Sequence, residues 1–132
     1  MCIGRHHKME FRFKNDWIDS TVTVQADGSA VERLGFGGTP AEGQRFSSVA
    51  VWIEEMTETT NKCTTDAAVK WEDDGQMHWQ EEVVWYTPTS YTCTVGRMVY
   101  VVDSTPDGIV EGGGRLWNSV YDWLVEMEKL TA

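Results

Sequence analysis

The chain has 132 residues, 41% hydrophobic and 24% charged, with seven tryptophans and no low-complexity run, which is the profile of one folded domain. Its 21 acidic against 11 basic residues give a formal charge of -10. That balance opposes attraction to phosphate backbones and anionic membranes, so nucleic acid and lipid surfaces rank low as partners. The start, MCIGRHHKMEF, lacks an apolar signal core, and nowhere do about eighteen apolar residues run together. Cys2, Cys63 and Cys93 form no CxxC pair, which points to reduced thiols and a cytoplasmic location.

In chain order, Met9, Phe11 and Phe13 alternate with Glu10, Arg12 and Lys14, the two-residue period of a strand. Thr21 to Val24 continues as strand, Asp27-Gly28 signals a turn, and Ser29 to Leu34 reads as a further strand. The glycine-rich GFGGTPAEGQRF reads as a loop. After it, Phe46, Val49, Trp52, Ile53 and Met56 recur at helical spacing, with Ser47 as a candidate N-cap. Ala67 to Trp71 and Met77 to Trp79, around Asp73-Asp74-Gly75, read as an inserted hairpin over about 66–79. Strands are then expected at Val83–Tyr86, Tyr91–Val95 and Met98–Val102, followed by a turn at Pro106-Asp107-Gly108 and a second glycine loop, GIVEGGGRLW. Trp117, Val120, Trp123, Leu124 and Met127 repeat the helical spacing, with Asn118 as candidate cap.

The two helical phrases, SVAVWIEEM and SVYDWLVEM, are similar in sequence as well as in spacing. Sliding the chain by 71 residues pairs Ser48/Ser119, Val49/Val120, Trp52/Trp123, Glu55/Glu126 and Met56/Met127. It also pairs Thr21/Thr92, Thr23/Thr94, Val24/Val95, Val31/Val102, Gly37/Gly108 and Gly43/Gly114. This pattern predicts a duplicated β-β-β-α unit, about 9–58 and 80–129. The expected fold is α+β: one pseudo-twofold antiparallel-sheet domain over 1–132 with two equivalent helices. A single unit would have too small a core to stand comfortably alone.

No catalytic signature stands in the chain. It lacks G-x-S-x-G, H-E-x-x-H and a reactive-cysteine context, and Glu55 and Glu126 are explained equally well as helix-surface carboxylates. Cys2, His6 and His7, with Glu10 as the nearest fourth donor, do not complete a metal site; no metal or cofactor is expected. The glycines before each helix offer amides to an anion, with Arg45 near the first loop and Gly113, Gly114 and Arg115 at the second as a weak anion-binding site. The most distinctive surface is KWEDDGQMHWQEEVVWY. Glu72, Asp73, Asp74, His78, Gln80, Glu81, Glu82 and Tyr86, joined by Tyr121 and Asp122 where the helical phrases diverge, would form an acidic face interleaved with aromatics.

These features point to a non-enzymatic protein-interaction module, an adaptor or subunit that meets a partner with a basic surface. The acidity also suits a nucleic-acid-mimicking inhibitor of a nuclease or DNA-binding protein, of the phage anti-defence type. Tandem strand-rich units each closed by a helix resemble Pur-type and Whirly-type folds, whose sheets stack bases on aromatics. That resemblance implies single-strand binding, favoured only by Arg5, Lys8, Arg12 and Lys14. A small-ligand pocket between the helices is a further expectation.

Overall fold

The computed structural model describes residues 8–36, 39–69 and 86–131. The first four strands are β1 (Met9–Lys14), β2 (Asp19–Val24), β3 (Ala30–Phe36) and β4 (Thr39–Phe46), and they lead into helix α1 (Val49–Val69). Then come β5 (Ser90–Val95), β6 (Met98–Ser104), β7 (Val110–Gly112), β8 (Arg115–Trp117) and helix α2 (Val120–Glu128), which ends in a 3-10 turn at Lys129–Thr131. All eight strands join one antiparallel sheet in the order β4-β3-β2-β1-β5-β6-β7-β8. The chain is therefore α+β, with β1 and β5 paired at the centre, Phe11 opposite Cys93 and Phe13 opposite Tyr91.

The alternation in β1 decides which way the sheet faces. Met9, Phe11 and Phe13 are buried, while Arg12 and Lys14 on the other side are exposed. Trp52 of α1 meets the edge of Phe13 at 6.2 Å between ring centroids, and Trp123 of α2 meets Phe11 at 6.0 Å. Both contacts use the odd-numbered face of β1, so both helices cover the same side of the sheet. Tyr91 joins the cluster, edge-on to Phe13 at 5.4 Å and tilted against Trp123 at 6.5 Å. Val22, Ala30, Val102 and Val110 extend this core outward across β2, β3, β6 and β7.

Each helix begins at a serine cap one residue later than the spacing suggested. The Ser48 hydroxyl accepts from the Val51 amide and the Ser119 hydroxyl from the Asp122 amide, each at 3.2 Å. Phe46 and Trp117, expected in the first helical turns, are instead the last residues of β4 and β8. The two glycine-rich stretches read as loops carry strand: β4 covers Thr39–Phe46, and β7 and β8 form a tight hairpin across Gly113 and Gly114. Both of those glycines hold positive φ, 58° and 81°, as a two-residue hairpin turn of that hand demands. Four strands, not three, therefore precede each helix among the described residues.

Helix α1 also runs further than its apolar spacing shows, through Val69. The first residues of the expected hairpin, 66–69, are its last turn, and the remainder, 70–79, lies outside the described residues. Threonine carries this extension. The hydroxyls of Thr57, Thr59, Thr60, Thr64 and Thr65 each donate to the carbonyl four residues back, so these polar β-branched residues are satisfied within the helix. Asn15 ties the far side of the core: its Nδ2 donates to Thr60 Oγ1 at 3.0 Å and Thr89 Oγ1 at 3.2 Å, and its Oδ1 accepts from the Trp17 and Ile18 amides.

Among the described residues no helix is long and apolar enough to cross a membrane. Cys63 and Cys93 are free thiols, and burial pushes the Cys93 thiol up to about 12, which leaves it protonated and inert at neutral pH.

The Trp123 ring closes the core between the two central strands. Trp123→Ala should lower the unfolding free energy by about 3–5 kcal/mol, measured as a shift of the urea midpoint with the native fold retained by circular dichroism.

Candidate functional site

Opposite the helices, the sheet presents an open face built from cross-strand rows. One row runs Arg45, Val31, Thr23, Glu10, Thr94, Val99. The next runs Thr21, Arg12, Thr92, Val101, and the third runs Asp19, Lys14, Ser90, Asp103, Glu111, Leu116. Strand alternation alone sends these side chains to one side. The rows show that the face changes character from one end to the other.

Across β1 to β4 the face is basic and internally paired. Arg12 Nε and Nη2 donate to the two oxygens of Asp19 at 2.8 and 2.6 Å, a bidentate contact. Arg33 Nη1 reaches Glu10 Oε1 at 2.5 Å, and Arg45 Nη1 donates to Ser29 Oγ at 2.9 Å near Asp27. Between the first two pairs lies a groove of about 480 Å³, floored by Thr21, Thr92 and Thr94. Hydrogen bonding from Arg12 holds the Asp19 carboxyl below its ordinary value; burial opposes it, and the charges of Arg12 and Lys14 add smaller pulls in the same downward direction.

Across β5 to β8 the face is apolar and acidic. Val99, Val101 and Leu116 are 59%, 48% and 65% exposed. Asp103 and Glu111 stand beside them in the third row, Asp103 accepting from the Ser90 hydroxyl at 2.7 Å. Three exposed aliphatic side chains on one sheet face are not needed for folding, since the core lies on the other side.

A second cluster lies on the helix side. The Tyr86 hydroxyl donates to the Ser104 carbonyl at 2.5 Å, and Tyr121 is exposed on the first turn of α2. Burial pushes the Tyr91 hydroxyl up to about 12, with lesser contributions from Tyr121 and Tyr86. Burial, and then the Glu54 carboxylate, raise Tyr121 as well.

Of the residues the sequence singled out, Tyr121 and Asp122 are exposed on the first turn of α2 and Tyr86 is tied to Ser104 at the end of β6. Glu72, Asp73, Asp74, His78, Gln80, Glu81 and Glu82 lie outside the described residues, as do Cys2, His6 and His7. Gly113 and Gly114 turn between β7 and β8 rather than opening a helix. Arg115 reaches back to α2, donating to Glu126 Oε1 at 2.9 Å and stacking over Trp117 at 4.7 Å. Glu126 also accepts from the Trp117 indole, while Glu55 is exposed on α1. Among the described residues no group of three or more His, Cys, Asp or Glu could hold a metal.

Of the open-face residues, Arg12, Lys14 and Arg45 were noted in the sequence for their charge, whereas Arg33, the threonines and the strip Val99, Val101 and Leu116 were not. A signal for part of them exists: MVYVVDS is an apolar run with no polar alternation, in a strand that only one face can bury. No protein family, curated protein or solved structure matches the chain.

The depressed Asp19 carboxyl contributes stability that is present above its unfolded value, near pH 3.9, and lost as pH falls through the lower folded value. Arg12→Met should return the Asp19 titration toward its ordinary value and remove that contribution, read by carboxyl carbon NMR between pH 2 and 6. Because the pair is half exposed, overall stability at pH 7 should change little.

Proposed function

We propose that this chain is a non-enzymatic protein-interaction module, an adaptor or subunit of a larger assembly, and that its contact surface is the open sheet face of β5–β8. The supporting observation is the strip Val99, Val101 and Leu116, exposed together and bordered by Asp103 and Glu111. Aliphatic side chains supply the desolvated centre of a contact and the carboxylates a rim that steers a basic partner. The acidic and aromatic helix side, with Tyr121, Asp122 and Glu54, extends the same chemistry to a second surface.

The internal build supports this reading. We take the chain as two β-β-β-β-α units related by a pseudo-twofold axis between β1 and β5. The β2–β3 turn and the β6–β7 turn share one hydrogen-bond pattern: Gln25 N to Ser29 O with Gly28 N to Gln25 O, and Thr105 N to Ile109 O with Gly108 N to Thr105 O. These turns lie 80 residues apart (105 less 25), whereas the helices lie 71 apart (120 less 49). The second copy's terminal hairpin is shorter by that difference. At the 80-residue spacing the buried positions match: Phe11 with Tyr91, Val22 with Val102, Ala30 with Val110. The open-face positions diverge: Arg12 with Thr92, Thr21 with Val101, Val31 with Glu111.

In this reading the threonine matches at the 71-residue spacing have a local cause. Thr21 and Thr92 both flank Arg12, and Thr23 and Thr94 both flank Glu10. The copies agree on the face the helices cover and differ on the open face.

Val101→Asp and Leu116→Asp should each weaken capture of the partner at least tenfold, measured by titration against whatever protein is recovered with the wild-type chain. Unchanged affinity in both variants would remove the β5–β8 face from the reading. Recovery of a nuclease or DNA-binding protein displaced by duplex DNA would point to the mimic reading instead.

The groove favours a second reading, a small polar ligand. Its threonine hydroxyls and paired guanidinium and carboxylate groups suit a polyol or a zwitterion more than a free anion. Sugars and amino acids at millimolar concentration should raise the melting temperature of the wild type and not of Arg33→Met; no shift with any of them would discard the idea.

A further inference from the structure

We infer that the open sheet face is closed by a second copy of this chain, in a face-to-face dimer with its twofold axis along the strands. The inference rests on reading the β6–β8 strip as an interaction surface and names the partner that fits it. An axis along the strands sets β5 of one copy over β1 of the other, β6 over β2 and β7 over β3, because the sheet order reads outward from the β1/β5 centre on both sides. Aligned sheets of this kind pack about 10 Å apart with side chains interdigitating.

Three properties of the face make it complementary to itself. The first is charge. Among the described open-face side chains, β1–β4 carries Arg12, Lys14, Arg33 and Arg45 against Glu10 and Asp19, while β5–β8 carries only Asp103 and Glu111. The basic half of one copy meets the acidic half of the other, and a twofold contact makes that match twice.

The second is shape. The recess of about 480 Å³ lies over β5, β1, β2 and β3, and the aliphatic ridge of Val99 and Val101 stands on β6. The axis brings Val101 of each copy above Thr21 in the recess of the other, and Val99 above Thr23 beside it. Threonine methyls and arginine stems accept those aliphatic groups, and both arginines lining the recess are already neutralised by Asp19 and Glu10.

The third is extent. Eight strands about 4.8 Å apart and about six residues long give a face on the order of 700 Å², near the roughly 800 Å² per partner of a standard interface.

In the third row Lys14 of one copy stands over Ser90 of the other, beside Asp103, and Asp103 itself falls over Asp19, whose charge Arg12 already offsets. The ion pair of Lys14 with Asp103 gives the test. Sedimentation equilibrium of the full chain should show a concentration-dependent dimer. Lys14→Asp and Asp103→Lys should each weaken it about tenfold, and the double variant should restore the wild-type constant to within about threefold, because both ion pairs are remade with reversed polarity. Val101→Asp should abolish it, with circular dichroism confirming the fold of each variant.

A wild type that is monomeric up to millimolar concentration overturns the inference, as does a dimer indifferent to all of these variants. If the wild type is monomeric but Val101→Asp still loses a foreign protein partner, the dimer falls and the interaction-module reading stands. If Val101→Asp changes neither, both fall.

Discussion

The structure depends on the two-residue period of β1. Met9, Phe11 and Phe13 point to one side of the sheet and Glu10, Arg12 and Lys14 to the other, and every larger feature is arranged around that division. The apolar side collects the two tryptophans that anchor the helices. The charged side sets the threonine rows of β2 and β5, which border it in the same register. Shifting β1 by one residue would bring charge into the core and aromatics into water, so its register is held strongly.

With the core on one face, each helix needs only a short apolar stripe. Val49, Trp52 and Ile53 are buried in α1, and Val120, Trp123, Leu124 and Met127 in α2. Edge-to-face contacts among Phe11, Phe13, Trp52, Tyr91 and Trp123 fill the centre with large rings in attractive geometry. The Trp52 indole donates to Ser20 Oγ at 3.0 Å, and Ser20 donates in turn to Glu32, so the one polar atom of that ring is satisfied inside the core. At the edge of the sheet Gly112 is obligatory for a steric reason: an added Cβ would collide with the Val101 carbonyl oxygen. The short β7–β8 arm can fold over β6 only with glycine at that place.

Because helices cover one side only, the other side is where side chains are released from the demands of the core. Packing fixes the size and polarity of Val22, Val102, Ala30 and Val110, while the core places no such demand on Thr21, Val101 or Glu111. The outcome is a face that is charged and internally paired at one end and aliphatic and acidic at the other. Net charge alone gave a partial view of this. A formal charge of -10 describes an acidic protein, yet four basic side chains gather on the open face of β1–β4.

The sequence by itself determined the α+β class, the alternation of β1, the two turns at Gly28 and Gly108, and both helices with the residues they bury, since each of these is written in local period or turn chemistry. Only the tertiary structure decided that Thr39–Phe46 and Val110–Trp117 are strands, because their glycines mask the period and the pairing that stabilises them comes from β3 and β6. It also decided the length of α1, whose later turns hold threonines with their hydroxyls bonded to their own helix and no apolar stripe for spacing to reveal. The candidate site was the least legible part. Arg12, Arg33, Val101 and Leu116 are ordinary residues in sequence, and what joins them is cross-strand register between strands far apart in the chain, a relation that spacing along one strand does not encode.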